Sequence, residues 1–192
     1  MSTVDCDLNK TGQLIVIAAG FFATVALLFI RASGDFFTAK PILTFFIALA
    51  CLVRYWWVVL LLEWPFRIVR CCLLVLVWCA LSFAAANVGD ENRWIIGLIG
   101  LTSIGALTEI YNFCTGQWKT GPEVLTHSLK RAHIQGAASA VLVTVILIVC
   151  ARSPLRELST AIVGSFTVAD WLRLVLMIRR HRGLLAMRKL LV

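Results

Sequence analysis

The sequence predicts an all-α integral membrane protein: six transmembrane helices arranged as three tandem helical hairpins, with both termini cytoplasmic. Three observations lead there. Of the 192 residues, 60% are hydrophobic and 15% charged, against about 45–50% and about 25% in an ordinary soluble domain. The apolar residues gather into six continuous runs of membrane-crossing length, which takes roughly 20 residues with a range of about 17–25. The runs do not alternate apolar and polar residues, which excludes a membrane β-barrel. A water-soluble fold of this size cannot enclose so much apolar surface. A soluble enzyme, a disordered tail and a DNA-binding module are therefore excluded.

Taken in order, the first run is Leu14–Ile30. Asp5 and Asp7 precede it where a secretory signal would carry basic residues, and Arg31 follows with no small-residue cleavage site. A retained span is expected there, not a cleaved leader. The second run is Ile42–Leu62, the third Cys71–Ala86 and the fourth Trp94–Cys114. The fifth, Gly136–Cys150, is short like the third, and both are expected to extend into their flanks. The sixth is Thr160–Ile178. Short polar turns join the helices of each pair: Arg31–Lys40, Asn87–Arg93 and Arg152–Ser159.

The longest connection is Thr115–Gln135. Pro122 followed by Glu123 marks a helix start, since proline fits the first turn and a carboxylate favours the positive end of the helix dipole. From there Val124, Leu125, Leu129, Ala132 and Ile134 recur at helical spacing, which predicts a cytoplasmic extension of helix five lying at the interface. The tail Arg179–Val192 mixes five basic residues and His181 with Leu184, Leu185, Met187, Leu190 and Leu191. That composition predicts a basic amphipathic cytoplasmic tail on anionic lipid. A docking segment for a partner protein is the rival reading.

Charge sets the orientation. The net charge is +8, which in a soluble domain would point to nucleic acid. Here the positives sit at the ends of apolar runs, so topology accounts for them and no nucleic-acid partner is expected. One side collects Lys10, Arg67, Arg70, Lys119, Lys130, Arg131, Arg179, Arg180, Arg182, Arg188 and Lys189; the other has only Arg31, Lys40, Arg93, Arg152 and Arg156. By the positive-inside rule the first side is cytoplasmic. The seven cysteines form no Cys-x-x-Cys pair, so neither a metal site nor a disulfide framework is expected. They read as small buried hydrophobes.

An internal three-fold repeat follows from aligning the second helix of each pair. Phe45, Gly100 and Gly164 then coincide, as do Ala50, Gly105 and Ala169, and Arg54, Glu109 and Arg173. Small residues at matching positions let helix backbones approach closely. With its three hairpins and its length, the chain resembles the HdeD-like acid-resistance membrane proteins. The stretches Leu98–Glu109 and Ile148–Leu172, the latter with a Pro-bearing outer turn before a Gly-containing helix, carry the likeness. The chain departs from that pattern in its greater span charge and tryptophan content. Its first repeat, with Arg54-Tyr55-Trp56-Trp57, also lacks the glycines. The resemblance implies a stress role at the bacterial inner membrane and brings no catalytic residues.

Four ionisable residues fall within spans, in the cytoplasmic half: Arg54, Glu109, Asp170 and Arg173. Each such group costs about 2.5–3.5 kcal/mol at the centre of a span on insertion scales. Asp170 and Arg173, spaced i, i+3, share a helical face and are expected to pair. Glu109 and Arg54, at equivalent repeat positions, are expected to meet across the bundle. Two readings stay open: a polar pathway for protons or a small solute, or interhelical ion pairs with snorkelling to the interface. Arg54 stands about eight residues from its span end, roughly 12 Å. His127, His133 and His181 all fall outside the six runs, so no haem and no histidine proton relay is expected. His133, at the start of the fifth span, is placed for an interfacial ligand but reads better as a solvated loop residue.

Trp56, Trp57, Trp64, Trp94 and Trp118 fall near span ends, where an aromatic belt sits. Trp78 and Trp171 lie deeper and are expected to face lipid or a neighbouring subunit. Candidate lipid or partner contacts are thus Trp56, Trp57, Trp78, Trp171, Arg179, Arg180 and Arg182. No phosphate loop, His-Glu-x-x-His or Gly-x-Ser-x-Gly occurs, so no catalytic, cofactor-binding or metal residues are expected. Three functions remain: a non-catalytic structural or stress-protective protein, an accessory subunit of a larger membrane complex, and a small channel or transporter. The partners expected are membrane lipids, anionic at the cytoplasmic face, and membrane proteins or a second copy.

Overall fold

A computed structural model describes residues 3–32, 37–61, 68–116, 123–152 and 158–189, with side chains over 11–32, 37–56, 59, 69–116, 130–152 and 158–179. It holds six helices and, among the described residues, no strand: α1 Thr3–Ala32, α2 Ala39–Leu61, α3 Ile68–Ala86, α4 Glu91–Cys114, α5 Glu123–Arg152 and α6 Ser159–Lys189. All six are long and apolar enough to cross a membrane. Pro41 lies in the first turn of α2, where its missing N–H costs nothing. Asp90 caps α4 by accepting from the Arg93 backbone N–H at 3.2 Å. Gly116, with φ 68°, closes the same helix and returns its N–H to the Phe113 carbonyl. α5 begins at Glu123, directly after Pro122. α6 runs unbroken to Lys189, so the basic segment after Ile178 continues its axis and does not form a separate helix.

The helices form a ring in the order α5, α4, α3, α1, α2, α6. α1 packs on both α2 and α3, and α4 lies between α3 and α5. The third pair differs from the expected hairpin: α5 packs on α4 and α6 on α2, while α5 and α6 touch only lightly. The apolar core sits among α1, α3 and α4, around Ile17, Leu28, Val77, Leu81, Trp94 and Ile95.

Close approach in this core depends on glycine. A β-carbon on Gly97 of α4 would stand 2.8 Å from the Ala84 β-carbon and 2.9 Å from its backbone N. One on Gly20 of α1 would meet the Trp78 ring at 2.3 Å. Trp78 is therefore a knob set into α1, 4% exposed, and does not face lipid or a neighbouring subunit. Trp94 is also inside: it is fully buried, and its indole N–H donates to Thr44 Oγ1 at 2.9 Å. The aligned small residues of the repeat do not share one role. Gly100 faces Ala80, Gly164 faces Leu43, and Gly105 has open space beside it.

The large outward apolar side chains, among them Phe22, Phe29, Ile96, Val141, Leu142, Val168, Leu172 and Leu176, need a solvent as apolar as themselves, and lipid supplies it. Of the described cysteines only Cys150 is fully buried, while Cys72, Cys79 and Cys114 are exposed. The buried-thiol reading thus fails for those three.

Candidate functional site

Early α1, late α2, early α3 and late α4 come together at one end of the bundle. Gln13, Tyr55, Arg70 and Thr108 line a small cavity there, with Ile17, Val59, Cys71 and Leu74. At about 20 Å³ it has room for a single water molecule. Arg70 is 7% exposed, and its Nη2 donates to Asn112 Oδ1 at 3.5 Å.

Beside this cavity the four intramembrane charges form one belt. Arg54 of α2 pairs with Asp170 of α6. Glu109 of α4 accepts from His133 of α5, with Nδ1 to Oε2 at 2.6 Å. Arg173 of α6 donates to the Ala132 carbonyl at 3.3 Å and to Gln135 Oε1 at 3.5 Å, both on α5. Arg54 also feels the charge of Glu109. The expected set thus comes together, but with other pairings. Asp170 pairs with Arg54 across the bundle and not with Arg173, because the face they share looks toward α2 and α5 at once. Glu109, expected opposite Arg54, takes its direct hydrogen bond from α5.

His133 is the residue that the sequence misplaced. The part of α5 long and apolar enough to cross a membrane takes in Lys130–Arg152, and His133, within it, is 8% exposed. The expectation of a solvated loop histidine is overturned, and with it the premise that no span holds a histidine. A signal was present: Gly136 follows three residues later on the same helical face. A β-carbon at Gly136 would stand 3.1 Å from Glu109 Cδ. Glycine therefore leaves the space that the carboxylate occupies.

The opposite end of the bundle is fastened too. Glu91 at the start of α4 pairs with Lys40 of α2 at 3.8 Å and accepts from Ser159 of α6 at 3.3 Å. Hydroxyl pairs join helices between the ends: Thr24 with Ser82 at 2.9 Å, and Thr102 with Thr144 at 2.7 Å.

Trp171 of α6 is half-buried and lies along α2. Its indole N–H donates to the Phe46 carbonyl at 3.1 Å and its ring meets that of Phe46 edge-on. Trp56 is 42% exposed and free to touch lipid, as is Arg179. The side chains of Trp57, Arg180 and Arg182 lie outside the described residues, as do those of Trp64, Trp118, His127 and His181. Among the described residues no group of three or more His, Cys, Asp or Glu could hold a metal ion.

The fold and the belt define the class: a polytopic helical membrane protein with a charge-paired polar layer near one end. Comparison of the chain with protein-family models, with curated proteins and with solved structures gives no match.

Proposed function

We propose that the chain is a non-catalytic integral membrane protein of HdeD-like type, structural or stress-protective in a bacterial inner membrane, with both termini cytoplasmic. The observation that supports this reading is how the belt residues bond. Arg54, Asp170, Glu109, His133 and Arg173 meet partners on other helices, an arrangement that clamps four helices together. The excess of Lys and Arg on the terminal side supports the orientation. Exposed Lys130, Arg131 and Arg179 at that end suit contact with anionic lipid headgroups. The test has two arms. The chain should resist carbonate extraction, with tags on both ends shielded from outside the cell. Bacteria expressing it should survive an acid challenge better than those carrying an empty vector, and equal survival removes the stress-protective role.

A second reading, an accessory subunit, is favoured by the outer faces of α5 and α6, the two least enclosed helices. Val141, Leu142 and Val145 on α5, with Leu172 and Leu176 on α6, offer an apolar surface to another chain. A stoichiometric partner retained in mild detergent would establish it. The channel or transporter reading draws on the same belt. Unchanged flux in proteoliposomes after Glu109→Gln and Asp170→Asn sinks that one.

A further inference from the structure

The Glu109–His133 contact is more than a fastening. A carboxylate oxygen accepts, so the short contact places the imidazole proton on Nδ1 and leaves the lone pair of a neutral ring on Nε2. That Nε2 is buried and, among the described residues, has no hydrogen-bond partner. A buried lone pair beside a carboxylate is a basic site without its proton. We propose that Glu109 and His133 form a proton-binding site at the seam between α4 and α5, loaded at His133 Nε2. It stands apart from the stress-protective reading, since the same site could load a proton in any of the three functions above.

The surrounding charges fit the proposal. Toward the pair α6 brings Arg173, bonded to the α5 residues on either side of His133, and Asp170, already paired with Arg54. From α2 come Arg54 itself and Tyr55, both within electrostatic reach of Glu109. α3 contributes Arg70, bonded to Asn112 on α4. Lys130 and Arg131 on α5 are exposed. With a neutral imidazole the charges of Arg54, Arg173, Asp170 and Glu109 cancel. A proton taken from water onto Nε2 adds one positive charge, which Glu109 stabilises and Arg173 opposes. The new N–H finds no acceptor among the described residues in the packed seam, and an unsatisfied buried donor is costly. Uptake is therefore coupled to hydration or local opening of α5 near His133.

The test uses the full chain in phosphatidylcholine nanodiscs, with ¹⁵N-labelled histidine and with His127→Gln and His181→Gln so that one imidazole reports alone. As the pH is lowered from about 8 to about 5, the ring should pass from the Nδ1–H tautomer to the imidazolium. Amide exchange over residues 130–140 should rise with it. In Glu109→Gln the lost carboxylate no longer stabilises the cation, so the midpoint should fall by about one pH unit, a tenfold loss of proton affinity. The wild-type titration stands even if that variant does not fold. A ring that keeps one neutral form over the whole range overturns the proposal, as does a midpoint that Glu109→Gln leaves in place.

Discussion

The two sides of this bundle are held by different means. Around α3 and α4 the closest contacts are matters of shape: Trp78 fills the space over Gly20, and the α3 backbone lies against Gly97, with Thr24–Ser82 and Arg70–Asn112 as polar additions. On the α6 side the described contacts include an ion pair to α2, an indole N–H on the Phe46 carbonyl and a guanidinium reaching α5. Lipid explains the need for both. Acyl chains are as apolar as leucine, so burying leucine does not select one neighbouring helix over another. Close backbone approach and polar pairs do select; the first is tightest around α3 and α4, and charge pairing is concentrated on the α6 side.

The largest expected effect comes from leaving one charge of α6's clamp alone. Asp170→Asn strips Arg54 of its carboxylate within the apolar layer, at an expected cost of up to about 2.5–3.5 kcal/mol, the insertion-scale figure for a charge at the centre of a span. The thermal midpoint in detergent should fall by roughly 5 °C or more, at about 2–4 °C per kcal/mol. The double variant Arg54→Met, Asp170→Leu removes both charges and should regain most of that loss, because the penalty belongs to the orphaned partner. A double variant as unstable as the single one would mean that α6 is held by something other than the pair.

On the other side the probe is size. Gly97→Ala forces α3 and α4 apart, because the atoms it meets belong to backbone. Overpacking of this kind costs about 1–3 kcal/mol. Gly105→Ala, on the same helix with open space beside it, is the control and should leave the thermal midpoint unchanged or slightly raised, since alanine is the better helix former. Equal effects at the two positions would show that the shape argument is misplaced.

The six helices were legible because an apolar run of membrane length is a signal along one dimension. The common level of the charges was legible for the same reason: Arg54, Glu109, Asp170 and Arg173 stand at comparable distances from their run ends, and they bond within one layer of the bundle. Their partners were not legible. Pairing depends on the order of helices around the ring, and no periodicity within a helix encodes that α6 lies against α2. His133 was missed because the fifth run was started at Gly136, where continuous hydrophobicity begins. The helix itself continues back past His133, over a stretch where His133 and Gln135 face α4 and α6. Trp94 and Trp78 were misread for a related cause. Trp94 stands near a span end, where tryptophan is usually interfacial, and Trp78 deeper, where it was expected to face lipid or another subunit; Thr44 and Gly20 offer internal sites that only the packing creates.

A smaller effect sharpens the shape side. Trp94→Phe keeps most of the ring volume but removes the N–H donated to Thr44. Thr44 still bonds the Lys40 carbonyl, so no hydroxyl proton is orphaned. The expected cost is about 1 kcal/mol, that of one hydrogen bond, read as a fall of roughly 2–4 °C in the thermal midpoint.

The smallest expected effect lies where α4 meets α5, a seam that has both kinds of contact. Thr144 Oγ1 lies 2.7 Å from Thr102 Oγ1, but each hydroxyl also has a carbonyl one turn back, Ala140 for Thr144 and Leu98 for Thr102. Thr144→Val therefore leaves Thr102 with its own carbonyl and strands no donor. The cost should be about 0.6 kcal/mol, the average for interhelical hydrogen bonds in membranes. That is close to the resolution of a thermal scan and is best read as a shift in denaturant midpoint. Glu109→Gln at the same seam, measured beside it at about pH 7, should cost more, because it weakens a contact with a charged acceptor. If Thr144→Val proves the more damaging of the two, the seam is held at its middle and the polar belt is a minor fastening for α5.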